Sequence, residues 1–268
     1  MTPTEILALY DQQQRRDVEH PAMRREVVPN VVRHVEIAGQ DGVVLYTTLT
    51  AANADETIRE QIAYFTAIGH SFEWKVYGHD EPPDLRDRLA AHGFDCEAVE
   101  AIVALDVTNA PAALLQPVAH DVRRVVDPDD LDDVIAIEEQ VWGEDREGLR
   151  RHLAYELRNT PDQISVYVAA IDGIPASTGW IRFSPGTQFA GLWGGSTLSQ
   201  YRKHGLYTAL LAVRTQEARR RGARFLTVDA SPMSRPILEK HGFQFLTYAW
   251  ACNWRTPNAA QACDTKDA

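Results

Sequence analysis

The sequence predicts a layered α+β protein built as two related lobes in one chain. Strand-like and helix-like segments alternate along its 268 residues, and a polar, Pro-containing stretch divides them near the middle. A run of landmarks also occurs twice in the same order. In the first half a long helix ends at Gly69, a strand starts by Phe72, and a second helix ends in Leu89-Ala90-Ala91-His92-Gly93-Phe94. In the second half the same parts are Gly222, Phe225 and Leu238-Glu239-Lys240-His241-Gly242-Phe243. Helices often end in glycine, which takes the left-handed position past the last turn. Two such endings in one order and at similar spacing point to duplication.

The chain opens with a helix to about Gln14. Strands follow at Val31 to Ile37 and Val43 to Thr50, with a turn at Asp41-Gly42 between them. Ala54 to Ile68 is a helix, because Ile58, Ile62 and Phe65 recur on one face. Phe72 to Tyr77 is a strand, Pro82-Pro83 opens the next helix, and Cys96 to Val107 alternates as a strand. Asn109 to Pro117 is the linker. Beyond it come a strand at Val122 to Val126 and helices at Asp129 to Trp142 and Glu147 to Arg158. A three-strand meander covers Ser165 to Ile171, Ala176 to Phe183 and Phe189 to Leu198. The last elements are a helix at His204 to Arg221, a strand at Phe225 to Val228, a helix ending at His241-Gly242, and a strand from Phe243 to Trp254.

Composition narrows the partners. With 44% apolar and 24% charged residues the chain is globular, and no apolar run is long enough to span a bilayer. The polar N-terminus lacks a signal-peptide core, so the expected location is cytoplasmic, with no membrane partner. A net charge of −11 argues against nucleic acid as the main partner. Cys96, Cys252 and Cys263 are scattered, without C-x-x-C pairs or zinc spacing. They are expected to be reduced and unpaired, with no metal bound.

Chemistry concentrates between Gly194 and Leu211. There a strand stops, a short loop holds Arg202-Lys203-His204-Gly205, and a helix begins at once. A helix start leaves N–H groups unpaired and carries partial positive charge, which favours an anion. Gly205 lets the backbone approach a bulky pyrophosphate.

This segment resembles the Gln/Arg-x-x-Gly-x-Gly/Ala loop of the GNAT superfamily of N-acetyltransferases, with Tyr207 where Gly or Ala is usual. Ile237-Leu238-Glu239-Lys240-His241-Gly242-Phe243 is similar to that family's Leu-Tyr-Glu-Lys-x-Gly-Phe, with Leu238 in place of the tyrosine. The resemblance implies two GNAT-like lobes, each with a central mixed, mostly antiparallel sheet flanked by helices. Residues 1–110 would be a degenerate lobe without a cofactor site, since Asp55 and Glu56 occupy its helix start. Residues 118–255 would be the acetyltransferase domain and 256–268 a flexible tail.

Acetyl-CoA, with coenzyme A as the acyl carrier, is the implied cofactor. Ser196, Thr197 and Leu198 would hold its pantetheine arm by their backbone. Arg202, Lys203, His204, Gly205, Leu206, Tyr207 and Thr208 would hold the pyrophosphate, and Ser231 falls near the cofactor. For catalysis, Asp229 is a candidate base, against a slightly preferred reading as the cap of the next helix, and Tyr207 a candidate substitute acid, against a preferred reading as a packing aromatic. Glu138 and Glu139 on the first helix of this lobe are candidates to line the acceptor site, and a solvated helix face is the better reading. The implied activity is N-acetyltransfer to a small amine or a peptide amine. The alternatives are a non-catalytic acyl-CoA-binding or regulatory protein of the same fold, and a two-lobe structural protein. The sequence leaves the acceptor and a homo-oligomer open.

Overall fold

The computed structural model describes residues 1–37 and 39–256. In chain order it holds α1 (Pro3–Tyr10), a π-helical turn (Asp11–Arg16), β1 (Met23–Val28), β2 (Val31–Glu36), β3 (Asp41–Thr47), α2 (Ala54–Ala67), β4 (Ser71–Tyr77), α3 (Leu85–Ala91) and β5 (Asp95–Cys96). Next come β6 (Glu100–Asp106), α4 (Ala112–Leu115), β7 (Asp121–Val125), α5 (Asp132–Trp142), α6 (Glu147–Asn159), β8 (Ile164–Ile171), β9 (Ile174–Phe183) and β10 (Phe189–Thr197). The chain then continues through α7 (Leu206–Arg220), β11 (Phe225–Ala230), α8 (Arg235–Lys240) and β12 (Gln244–Trp254).

Two compact units emerge, and they are not serial. Among the described residues, one comprises Met1–Ile102, Ala230–Pro232 and Phe245 to Thr256; the other comprises Val103–Asp229 and Met233–Gln244. The first unit's sheet runs β1-β2-β3-β4-β12, with β5 also on β12. Its core packs Phe65, Phe72, Trp74 and Phe94 with Ile58 and Leu89. The second unit's sheet runs β11-β10-β9-β8-β7, with the end of β6 beside β11. β10 and β11 are parallel there, while β7 to β10 pair antiparallel. The core of this unit lies between that sheet and helices α5 and α6, around Val134, Ile135, Leu153, Val166 and Trp180.

Three expectations need correction. β1 is an additional strand; its residues Met-Arg-Arg-Glu-Val-Val are mostly half-buried or exposed, so no apolar alternation marks it. The linker is not open chain. Leu114 of α4 is fully buried, and Gln216 Nε2 donates to the carbonyls of Leu114 and Gln116 at 3.1 and 2.8 Å.

The third concerns the cysteines. Cys96 and Cys252 stand opposite each other on antiparallel β5 and β12 and form a disulfide across 156 residues of sequence. Only the return of the last strand to the first unit brings them together, which scattered positions do not reveal. Cys263 and the rest of the tail from 257 lie outside the described residues. Among the described residues no helix is long and apolar enough to cross a membrane, and no cluster of three His, Cys, Asp or Glu could hold a metal.

Candidate functional site

The second unit opens along one line in its sheet. β10 pairs with β11 from Phe189↔Phe225 to Gly191↔Thr227 and no further, whereas its pairing with β9 continues to Thr197↔Ser177. Past Gly191 and Thr227 the two parallel strands therefore part, leaving facing backbone groups without each other. A bulge between Gly194 and Ser196 falls on the β10 arm. Gly195 sits at φ +83°, and a Cβ there would stand 3.0 Å from Cε2 of Tyr207. The Tyr207 ring thus fills the space that a side chain on residue 195 would need.

Beyond the bulge the arm is tied back to β9. Ser177 Oγ donates to the Ser196 carbonyl at 2.8 Å and shares a hydrogen bond with Thr197 Oγ1 at 2.7 Å. Leu198 departs from its expected role. Its N–H donates to the Ala176 carbonyl at 3.0 Å and its side chain is in the core, so that donor is spent within the fold.

The loop after β10 leads straight into α7. Arg202 Nε donates to the Thr197 carbonyl at 3.3 Å, fixing the loop against the strand end. Lys203 and Gly205 both take left-handed backbone conformations, at φ +66° and +82°. α7 then starts behind this exposed loop with no side chain capping its first turn, so the N–H groups of that turn have no side-chain partner. Arg202, Lys203, His204 and Gly205 are exposed there, Leu206 is buried beneath, and Thr208 meets His241 Nε2 at 3.3 Å.

His120 completes the loop and was not anticipated. Its Nε2 donates to the His204 carbonyl at 2.8 Å, and its ring lies over Gly205. It stands 84 positions away in sequence, on the lead into β7, so no local pattern marks it.

On the α5 side lies a second residue that sequence reasoning placed wrongly. Glu139 is exposed as expected, but Glu138 is 4% exposed. Burial pushes its carboxyl above the usual range; hydrogen bonding with Ser196 and Trp142 and the charge of Arg146 oppose that push. Trp142 Nε1 in turn donates to Ser196 Oγ at 3.1 Å. This links α5 to the bulged arm of β10.

The two residues expected to act in catalysis have different settings. The Tyr207 phenol is held protonated to higher pH by burial, with the nearby Arg214 charge opposing. Arg214 is itself buried, and burial pushes its pKa down to about 10. Its donors go to the carbonyls of Leu210, Trp180 and Trp193 at 2.9, 3.3 and 3.2 Å, which brace β9 and β10 near the bulge. Asp229 is half-buried on the β11 arm, beyond the last β10–β11 pair. Ser231 falls in the short Ala230–Pro232 stretch that clusters with the first unit. In that unit the corresponding helix start, at α2, carries Asp55, which pairs with Arg88 and with His92 Nε2 at 3.1 Å.

Comparison with known proteins bears on the family and the fold. Residues 131–243 match the model of the acetyltransferase (GNAT) family. A GCN5-related N-acetyltransferase from Kribbella flavida is 15% identical at a TM-score of 0.68, covering 97% of this chain and 98% of its own. A functionally unknown protein from Staphylococcus epidermidis is 11% identical at a TM-score of 0.65, over 88% of this chain and 96% of its own. A tandem GNAT protein from the clavulanic acid biosynthesis pathway is 15% identical at a TM-score of 0.55, over 88% and 84%. At these identities the likeness is one of fold. No curated protein sequence matches the chain.

Proposed function

Residues 131–243 form a GNAT-family acetyltransferase domain, and from that premise we propose that the second unit is an acyl-CoA-dependent N-acyltransferase. Acetyl-CoA is the proposed donor and a small amine or a peptide amine the acceptor. The observation that carries this reading is the uncapped start of α7 behind Gly205, set at the end of a strand that has parted from its neighbour. The parted strands offer backbone to an extended arm, and the helix start offers N–H groups and positive potential to a pyrophosphate.

The residues present fit that cofactor. The loop Arg202 to Thr208 would hold the pyrophosphate, with His120 and Lys203 adding cationic or donor groups beside it. Ser196 and Thr197 would line the arm. Acyl transfer breaks the thioester C–S bond as the amine forms its C–N bond, and the departing thiolate needs a proton. Leu238, where the family's tyrosine is expected, is fully buried apolar core and has none to give. Tyr207 holds its proton and lies at the bulge, so it would serve as that acid. Asp229 would act as a base from the β11 arm.

Thiol release from acetyl-CoA, measured with a panel of amines, tests the reading. Amine-dependent release that falls in Tyr207→Phe supports it. Leu238 also favours a second reading, a non-catalytic acyl-CoA-binding protein. That reading predicts acetyl-CoA binding with no amine-dependent release.

A further inference from the structure

Among the described residues, the second unit leaves three buried side-chain polar atoms without a hydrogen-bond partner: Glu138 Oε1, Arg146 Nε and Trp180 Nε1. Folded proteins pair nearly all such atoms, so unpaired ones that gather in one place call for an explanation. These gather on one side of the sheet. Glu138 is on α5, Arg146 is on the turn that joins α5 to α6, and Trp180 is on β9 in the core that α5 covers. The Arg146 guanidinium lies 5.6 Å from the ring centroid of Trp142, and its charge reaches the Glu138 carboxylate.

The two charged groups do not satisfy each other. Arg146 turns a terminal nitrogen to Glu144 at 3.3 Å, and Glu138 keeps one oxygen unpaired while 4% exposed. Each group keeps partners for its other atoms, but a buried acceptor or donor left unmade is costly, and a ligand that completes both atoms recovers that cost. Such a ligand must present a cationic donor to Glu138 and an anionic acceptor to Arg146. Trp142, 57% exposed, contacts both groups: its ring lies under the Arg146 guanidinium and it hydrogen-bonds with Glu138.

We propose that Glu138 and Arg146 form the acceptor subsite and that it takes an amino acid, with the ammonium on Glu138 Oε1 and the carboxylate on Arg146 Nε. The proposal deepens the acyltransferase reading and rests on it for the word acceptor. Its position supports that link. Ser196, within hydrogen-bonding reach of Glu138, belongs to the β10 arm along which the acyl group would be presented. Glu138 would bind and orient the amine there, and its deprotonation stays with the base on the β11 arm.

Binding of the standard amino acids to the full chain, by calorimetry and tryptophan fluorescence with and without coenzyme A, tests the subsite without any turnover. At least one amino acid should bind, and its carboxamide should bind at least about tenfold more weakly, as expected for loss of a charge-assisted pair. Glu138→Gln and Arg146→Met should each weaken the amino acid by a similar factor, and Glu139→Gln should not. Comparing acid with amide on the unaltered protein keeps the test valid if a variant folds poorly. The subsite is overturned if no amino acid binds, if acid and amide bind alike, or if folded Arg146→Met binds as the unaltered protein does. Amino-acid binding without thiol release would instead sink the acyltransferase reading and leave the subsite standing.

Discussion

The His120 imidazole lies directly over Gly205: a Cβ on Gly205 would stand 3.1 Å from His120 Cε1. Together with the left-handed backbone at φ +82°, this makes residue 205 intolerant of side chains at the point where α7 begins. Gly205→Val should cost about 1–3 kcal/mol of stability from backbone strain and reduce acetyl-CoA affinity at least about tenfold. Gly222, at φ +78° with open space around its missing Cβ, provides the control. Gly222→Val should lose similar stability and keep its affinity. Paired urea melts and calorimetry separate the two, and equal affinities in both variants would refute a role for the loop.

Tyr207 is half-buried, with its ring beside Gly195 at the bulge, and desolvation holds its phenol protonated above the usual range. Tyr207→Phe keeps the ring that fills the space beside Gly195 and removes only the hydroxyl. Its kcat for thiol release should fall about a hundredfold, the usual scale of acid catalysis, with acetyl-CoA affinity unchanged. An unchanged kcat would mean that the thiolate leaves without this acid.

Glu138 makes a stability prediction of fixed sign. Its folded pKa is raised, so the folded state binds the extra proton, and stability is lost as pH rises from the unfolded value through the folded one. The groups around it are Trp142 on its own helix, Ser196 on β10 and Arg146 on the following turn. Glu138→Gln should match the unaltered protein below the ordinary carboxylate range and be more stable at neutral pH. Urea melts across that interval check it. A variant less stable at neutral pH would show that the carboxylate is paired rather than stranded.

The Cys96–Cys252 bond ties the last strand of the chain to the first unit. Reduction, or Cys96→Ser, should lower the unfolding free energy by about 2–5 kcal/mol, because the bond closes a long loop. Non-reducing peptide mapping should recover the two cysteines joined. Recovery of both as free thiols in the folded protein would remove this element of the account.

The sequence was most readable where structure is local. Arg202 to Thr208 reads as a strand-loop-helix junction because loop, glycine and helix start are consecutive, and the structure has that order. What escaped notice depends on distant parts of the chain: His120 over Gly205, Cys96 against Cys252, and the crossing of β12 into the first unit. Glu138 is a different case: the sequence offers it as an acceptor-site residue but favours a solvated face, and its burial overturns that preference. Leu131, Val134, Ile135, Glu138 and Trp142 follow the helical period, so a carboxylate sat on the apolar stripe of α5. Arg214 sits in the same way one turn beyond Leu210 on α7. A charged residue in register with an apolar face is the pattern that would have marked both.

Titration of the full chain with acetyl-CoA by calorimetry tests the central claim most directly. The account predicts a single saturable site per chain: α2 and α7 both start without a side-chain cap, but α7 follows the left-handed Gly205 beside Arg202 and Lys203, whereas the first turn of α2 carries the carboxylates Asp55 and Glu56. That site should be lost in Gly205→Val and kept in Gly222→Val. Absence of binding at about millimolar cofactor, or a site that survives Gly205→Val undiminished, would contradict it.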